Sequence, residues 1–262
     1  MEENVTESKF KFPTEVVELP SKGLIYPKDN PLSSGKVEMK YMTAREEDIL
    51  TSVNLIKQGK ALDKLLESLI VDKKIDYTDL LVGDKNALLV GARILAYGKE
   101  YSFSFLDVHG EIVKAKADLT QLKEKELDFS NYDKGVNLFS FELPTTKRIL
   151  TYSIPTHIDE LNLETEIEAL RKVYNEEDSI DKSSSTRLKH LIKSVDGKTD
   201  RKSINDFVEN EFLSVDSLAF RTHITKETPD IDFTMNVKNS QGEKEKVAVP
   251  MTADFFWPNT RV

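Results

Sequence analysis

A chain of 262 residues, of which 39% are hydrophobic and 32% charged, can bury a sizeable core and does not have the composition of a disordered protein. Its formal net charge of −9 argues against a general nucleic-acid binder, which usually presents a basic surface. The chain has no cysteine, which excludes disulfides, thiolate metal ligands and cysteine nucleophiles and fits a reducing cytoplasm.

The distribution of apolar residues predicts no membrane-spanning helix, because no stretch approaches the roughly 18 continuous apolar residues that such a helix needs. The first residues, MEENVTESKFKF, are acidic and polar, unlike the basic and then apolar start of a signal peptide. We therefore expect neither a membrane partner nor a secretory leader.

The first 36 residues are predicted to form an extended N-terminal arm. Short apolar pieces alternate there with prolines and glycines, which disfavour helix and favour extended segments joined by turns. The sequence PSKG indicates a tight turn in which Gly23 takes a positive φ.

A cluster of helices is predicted next. Thr43 and Glu46 have the spacing of a capping box and start a helix whose apolar face includes Ile49 and Val53 and which Gly59 can end. A second helix is indicated by Leu and Ile at helical spacing over residues 62–70, and a third, apolar nearly all round, over residues 87–95.

Strands are predicted from Glu100, where the hydrophobic period changes to two. Alternation on both sides of His109 and Gly110 is typical of a β-hairpin, and residues 137–155 contain two more candidate strands. The second half is again helical, with TRLKHLIKSVDG predicted as one helix and Ser203 and Asp206 as the cap of another. The final elements are two strands around a polar turn.

These elements predict an α+β fold in three parts. Residues 1–36 form the arm, residues 37–155 a helical cluster with antiparallel strands, and residues 156–262 a helical region that ends in a β-hairpin with an aromatic tail.

No motif in the sequence indicates catalysis. GARILAYGKE resembles a phosphate-binding loop, but Gly91 and Gly98 are too far apart and Glu100 stands where a Ser or Thr should bind magnesium. The four histidines lack the spacing of a helical metal site, and no G-x-S-x-G motif is present. Helix caps and solvated faces explain the many carboxylates. We therefore predict no enzyme, no cofactor and no small-molecule substrate.

Two polar clusters are candidates for binding another protein. The first cluster places several acidic residues at the start of the first predicted helix. Its residues are Tyr41, Met42, Thr43, Glu46, Glu47 and Asp48. The second is equally explained as a good helix start or as part of the same docking surface, and its residues are Gly83, Asp84, Lys85 and Asn86.

A third candidate is an aromatic group near the C-terminal end of the sequence, made of Phe255, Phe256, Trp257 and Pro258. If exposed, such a group is typical of a binding surface, and if folded back on the preceding hairpin it belongs to the core. We favour core packing for Phe255 and partner contact for Trp257.

Several segments, in this order, resemble the baseplate hub protein family of T-even-type tailed phages. They are ELPSKGLIYP, VEMKYMTAREEDILTS, DYTDLLVGDKNALL, TRLKHLIKSVDG, DSLAFRTHI and VPMTADFFWP. The resemblance extends over residues 15–258, and the combined order is more specific than any one segment.

The resemblance implies a non-enzymatic chaperone of baseplate hub assembly in the cytoplasm of the infected bacterium. Its expected partners are hub, central-spike or tape-measure proteins, with no nucleic acid among them. The family's recurrent positions include the three candidate groups above, without a role for each residue. A permanent structural subunit of the baseplate is the alternative, because both need a stable fold with a specific interface.

The resemblance also implies a CxxC-like pair in the C-terminal hairpin, suggestive of a small metal knuckle. This chain reads FTMNVKNSQGEKEKV there and has no cysteine, so we expect no metal and a hairpin held by its own strand pairing.

Overall fold

The computed structural model describes residues 13–173 and 181–256. Helices and small antiparallel sheets share this part of the chain, as the α+β prediction requires. The strands are β1 (Thr14–Glu18), β2 (Lys36–Lys40), β3 (Glu100–Leu106), β4 (Ile112–Asp118), β5 (Lys123–Glu124), β6 (Phe139–Glu142), β7 (Ile149–Tyr152), β8 (Ile192–Val195), β9 (Ile231–Asp232), β10 (Thr234–Lys238) and β11 (Lys244–Ala248).

The helices differ widely in length. They are α1 (Ala44–Thr51), α2 (Val53–Lys57), α3 (Ala61–Leu69), α4 (Val82–Tyr97), α5 (His157–Val173), α6 (Ser183–Leu191), α7 (Arg201–Asp206), α8 (Ser214–Glu227) and α9 (Ala253–Phe256). None of the described helices is both long enough and apolar enough to cross a bilayer.

Residues 13–36, which the sequence predicts to be part of an extended arm, pack against the body of the protein. β1 pairs with β2 in antiparallel register, with Val17 opposite Val37. Between the two strands, Leu19, Ile25 and Leu32 are buried in the larger hydrophobic core. Burial of these apolar side chains stabilises the attachment of this segment to the rest of the chain.

The predicted first helix is two helices, because Ser52 takes an extended conformation between α1 and α2. The break changes which side chains face the core. Leu50 is only 1% exposed, whereas Val53, which the single-helix prediction placed on the apolar face, is 61% exposed. The next two helices follow the prediction: α3 buries its leucines, and α4 ends at Gly98.

The turns of the hairpins β3–β4 and β10–β11 are built alike. Each begins with a side-chain oxygen, on Asp107 or Asn239, that accepts from the backbone N–H groups two and four residues further on, at 2.9–3.0 Å. The Asp107 carboxylate also accepts from the Ser240 N–H of the second turn at 3.0 Å. The two hairpin tips are therefore fixed to each other.

A three-stranded sheet crosses the predicted boundary near residue 155. Its strand order is β6-β7-β8, so β7 pairs with a strand from the second half of the chain. The prediction of one helix over TRLKHLIKSVDG is corrected here, because α6 ends at Leu191 and residues 192–195 are β8. Pairing with β7 outweighs the helical spacing of this segment.

Both hydrophobic cores draw residues from each side of residue 155. The larger contains Leu19 and Phe255, and the smaller contains Leu150 and Phe220. A division at that residue therefore does not separate two independently packed cores. The predicted Ser203 cap is also corrected, because Asp200 is the N-cap of α7 and accepts from the Ser203 N–H at 2.8 Å.

Candidate interaction site

Glu46 of the first predicted cluster is enclosed within the chain. Its carboxylate accepts from Lys40 Nζ at 2.8 Å, from the Ser68 hydroxyl at 2.6 Å, and from the Thr43 N–H and hydroxyl at 2.9 and 2.6 Å. Burial alone would raise the pKa of Glu46, but these hydrogen bonds outweigh it and lower the pKa to about 2. Glu46 therefore joins β2, α1 and α3 and does not face a partner.

The other members of the first cluster are more open to solvent. Glu47 and Asp48 are exposed on α1, while Tyr41 and Thr43 are half-buried. Met42 is partly buried and packs against the larger core. The capping box of the sequence prediction is present, so the cluster both starts the helix and leaves two acidic side chains at the surface.

Gly83 and Asp84 of the second cluster are buried in the first turn of α4. The Asp84 carboxylate accepts from the Ser21 N–H at 2.9 Å, the Ser21 hydroxyl at 2.6 Å and the Tyr26 hydroxyl at 2.7 Å. Burial raises the pKa of Asp84 against the effect of these bonds. Asp84 thus holds the loop between β1 and β2 on the start of α4, where the helix dipole favours a carboxylate.

Lys85 and Asn86 are bonded to other parts of the same chain. Lys85 Nζ lies 3.3 Å from Asp63 Oδ1 and 2.9 Å from His157 Nδ1, and His157 Nε2 lies 3.0 Å from the same Asp63 oxygen. The Asn86 amide donates to Asp230 Oδ1 at 3.0 Å. This network joins α3, α4 and α5, and its polar atoms bond to one another.

The first two clusters therefore do not form one polar docking patch. Glu46 contacts Ser68 near the end of α3, whereas Lys85 contacts Asp63 near its start. The charged groups of Glu46, Asp84 and Lys85 are hydrogen-bonded or ion-paired to neighbours within the chain. The interpretation that Glu46, Asp84 and Lys85 contact a partner directly is corrected accordingly, because their charged groups face inward.

The C-terminal aromatics are divided by the limit of the described residues. Phe255 and Phe256 are buried in the larger core, where the Phe255 ring meets the Tyr101 ring edge-on at 5.0 Å. Trp257 and Pro258 lie outside the described residues. Burial of both phenylalanines places them in the fold of this chain and not on a free apolar surface, as the sequence interpretation favoured for Phe255.

An exposed apolar group that the sequence interpretation missed lies at the tip of the β3–β4 hairpin. Leu106, Val108 and Ile112 are 68%, 73% and 79% exposed, and Leu106 pairs directly with Ile112 across the strands. We call these three residues the hairpin tip. Tyr101 and Phe103 face the core, and strand alternation then places Leu106 on the outward face.

A groove of about 280 Å³ lies between β1 and α4 and is a second open feature. Its lining residues are Glu15, Val17, Tyr41, Gly91, Ile94 and Leu95. We call it the β1 groove. Tyr41 belongs both to this groove and to the first predicted cluster. The exposed residues of that cluster, Glu47 and Asp48, are acidic.

No group of three or more potential metal ligands from His, Cys, Asp and Glu occurs in the residues that the structure describes. Glu46, Asp84, Lys85 and Asn86 form intramolecular bonds that hold elements together. The hairpin tip and the β1 groove are two open apolar features among the described residues. The described residues form an α+β protein with small antiparallel sheets.

Comparison with protein families identifies the group. The chain belongs to the family of T4 bacteriophage base plate proteins, whose family model matches residues 13–257. Membership gives it a structural or assembly role in the baseplate of a T4-type phage and interaction with other baseplate proteins. No curated protein and no solved structure matched the chain.

Proposed function

We propose that this protein is a non-enzymatic assembly protein of the baseplate hub. It binds a hub, central-spike or tape-measure protein in the cytoplasm of the infected cell while a contractile tail is being built. The observation that carries the proposal is the family match over residues 13–257, together with the ordered segments that resemble hub assembly proteins.

The exposed hairpin tip supports a binding role. Three large apolar side chains that are each more than two-thirds exposed cost free energy in water, and such groups commonly mark protein–protein contacts. An assembly protein that covers an apolar partner needs such a surface. The hairpin tip provides an exposed apolar surface. The described parts of the N-terminal segment and of the aromatic tail do not, because most of their apolar side chains are packed into the core.

The hairpin tip is also held in place before any partner arrives. Asp107, in the turn between Leu106 and Val108, is fixed by bonds to its own turn and to Ser240 of the neighbouring hairpin. A rigid apolar surface loses less conformational entropy on binding than a mobile one. Glu47, Asp48 and Tyr41 remain candidates for additional partner contact, as do Trp257 and Pro258.

A permanent structural subunit of the baseplate is the second candidate, because the family's own description names the base plate. The two functions differ in what becomes of the protein after assembly. A chaperone is absent from the finished particle and a subunit remains in it. Quantitative mass spectrometry of purified virions separates them, with the protein detected at stoichiometric amounts only if it is a subunit.

Direct binding assays test the proposed function. The purified full chain is mixed in turn with the hub, central-spike and tape-measure proteins of the same phage, and binding is followed by interferometry and size-exclusion chromatography. We expect a stable complex with at least one of them. Failure to bind any of the three, alone or mixed, would overturn the hub assignment.

A further inference from the structure

The outer edge of β1 has unpaired backbone groups. The Leu19 N–H donates to the Gly35 carbonyl at 2.9 Å, and the Tyr41 N–H donates to the Pro13 carbonyl at 3.2 Å. Because bonding alternates along an antiparallel pair, the odd-numbered residues of β1 bond to β2. The backbone groups of the even-numbered residues, including Val16, point to the other side.

No described residue bonds to these outward groups. Within residues 13–173 and 181–256, the sheet contains only β1 and β2, and no other backbone or side-chain group is hydrogen-bonded to the N–H or carbonyl of Val16. The Val16 side chain is itself exposed. A free strand edge of this kind is a template for pairing with an added strand.

The β1 groove is lined by residues of the same strand, together with α4 and with Tyr41, which follows β2. Val17 and Glu15 point from the strand toward α4, whose Gly91, Ile94 and Leu95 form the other wall. Gly91 has no side chain, and this lets Val17 pack closely on the helix, since a Cβ there would lie 2.8 Å from Val17 Cγ2. A strand added to β1 would direct alternate side chains onto the apolar surface of Ile94 and Leu95.

The charge at the groove indicates the chemistry of its occupant. Among the described residues, Glu15 is bonded only to the Tyr41 hydroxyl, at 3.4 Å, and has no cation at ion-pair distance. Glu47 and Asp48 are exposed on the helix that follows Tyr41. A Lys or Arg in the occupant would complement Glu15, and the apolar walls require aliphatic side chains beside it.

We propose that the free edge of β1 and the β1 groove together take up an extended segment of another baseplate protein by strand addition. The segment alternates aliphatic residues toward α4 with polar residues toward solvent and carries a basic residue opposite Glu15. Main-chain bonds to Val16 supply affinity, and the groove supplies specificity. The proposal names the partner chemistry of the proposed assembly function and rests on it.

A second copy of this chain fits the edge less well. In an antiparallel pair of two β1 edges centred on Val16, Glu15 of each copy would lie opposite Val17 of the other and would gain no cation. Glu18 brings no unpaired charge to the edge, because it is already paired with Lys36 at 3.2 Å. The occupant is therefore a different, locally basic chain.

Two variants test the strand addition without disturbing the β1–β2 pair. Val16→Pro removes an N–H that points outward, and proline is tolerated at the edge of a sheet in that orientation. Glu15→Lys reverses the charge at the groove. The matched control for charge is Glu100→Lys, an exposed glutamate on β3, and Val17→Pro is the control that should unfold the pair because it removes an inward N–H.

Binding is measured with the full chain and short overlapping peptides that cover the hub, central-spike and tape-measure proteins of the same phage. We expect binding peptides to have the alternating, basic pattern, and Val16→Pro and Glu15→Lys each to weaken them by about tenfold or more, equal to ~1.4 kcal/mol. Glu100→Lys should bind as the unmodified protein does. Amide hydrogen exchange at Val16 should slow when a peptide binds.

The outcomes separate this proposal from the proposed function. Val16→Pro and Glu15→Lys are compared only if their melting temperatures are unchanged. If full-length partners bind and neither variant weakens that binding, strand addition at β1 is overturned while the assembly role stands. If Val16→Pro instead converts a dimer of the chain to monomer, the occupant is a second copy and the proposal is again wrong. If no full-length partner binds, the proposed function fails first.

Discussion

Gly83 and Pro229 approach so closely that a Cβ atom on Gly83 would lie 1.9 Å from the Pro229 carbonyl oxygen. The contact seats the first turn of α4 directly on the backbone that leads into β9. The neighbouring Asn86–Asp230 hydrogen bond fixes the same junction. Glycine is therefore required at this position by space and not by its own conformation, since the opposing atoms are backbone and cannot rotate away.

Gly83→Ala should destabilise the protein by about 1–3 kcal/mol or more, because overpacking against backbone forces α4 away from residues 229 and 230. Urea unfolding followed by circular dichroism measures the loss. Gly91→Ala is the matched control in the same helix, where the nearest atom is the movable Val17 Cγ2 at 2.8 Å. Alanine also favours helix there by up to about 1 kcal/mol. Equal losses in the two variants would contradict this account of Gly83.

Glu46 should make the stability of the protein depend on acid. Its pKa of about 2 in the fold lies below the ordinary value of 4.5, so its stabilisation is present above pH 4.5 and is lost as the pH falls toward 2. The difference corresponds to about 3 kcal/mol. Glu46→Gln should therefore be less stable than the unmodified protein at neutral pH, with the gap closing in acid.

Denaturant titrations at several pH values between neutral and strongly acidic test this dependence. Glu47→Gln, on the same helix but exposed, is the control and should show little difference at any pH. A Glu46→Gln protein whose deficit stays constant down to pH 2 would show that the carboxylate charge is not what stabilises the junction of β2, α1 and α3.

Removal of the Tyr26 hydroxyl should lower the free energy of unfolding by about 1–3 kcal/mol. The hydroxyl donates to Asp84 at 2.7 Å and accepts from the Leu81 N–H at 2.8 Å. Tyr26→Phe leaves both partners short of a bond inside the core. The loss should shrink when Asp84→Asn is also present, with a coupling of about 0.5–3 kcal/mol in a double-mutant cycle. Tyr41→Phe, whose hydroxyl makes only the long bond to Glu15, is the control. Additive losses for Tyr26 and Asp84 would disprove the network.

Polar substitution of the hairpin tip should separate binding from folding. Leu106→Ser with Ile112→Ser should leave the unfolding free energy within about 0.5 kcal/mol, since both side chains are already in water. The same pair should weaken the complex with the hub component by about tenfold or more, measured by interferometry. Val53→Ser with Ile56→Ser removes two apolar side chains from α2 that are 61% and 47% exposed and controls for general surface polarity. Weakening by the control pair alone would move the contact surface to α2.

Local patterns in the sequence were sufficient for much of the secondary structure. The leucine spacing of α3, the positive φ of Gly23 and the strand alternation around Gly110 each depend on residues close in the chain, and the structure agrees with them. The Thr43–Glu46 capping box is of the same kind.

Contacts between distant residues could not be read in the same way. Residues 192–195 have helical spacing but become β8 because β7 offers a partner 40 residues earlier. Nothing near Asp84 in the sequence indicates that Ser21 and Tyr26 will bond to it. The acidic and polar clusters that looked like docking surfaces are therefore largely internal, whereas the exposed hairpin tip required knowledge of which strand face is buried.

The larger core combines Leu19, near one end of the described chain, with Val249 and Phe255 near the other. During synthesis, the pocket for these last side chains stays open until residues 249–256 have left the ribosome. The nascent polypeptide therefore cannot reach its final packing gradually from the N-terminal side. A chain that stops before residue 249 would leave this part of the core uncovered, and exposed apolar surface of that kind favours aggregation and proteolysis.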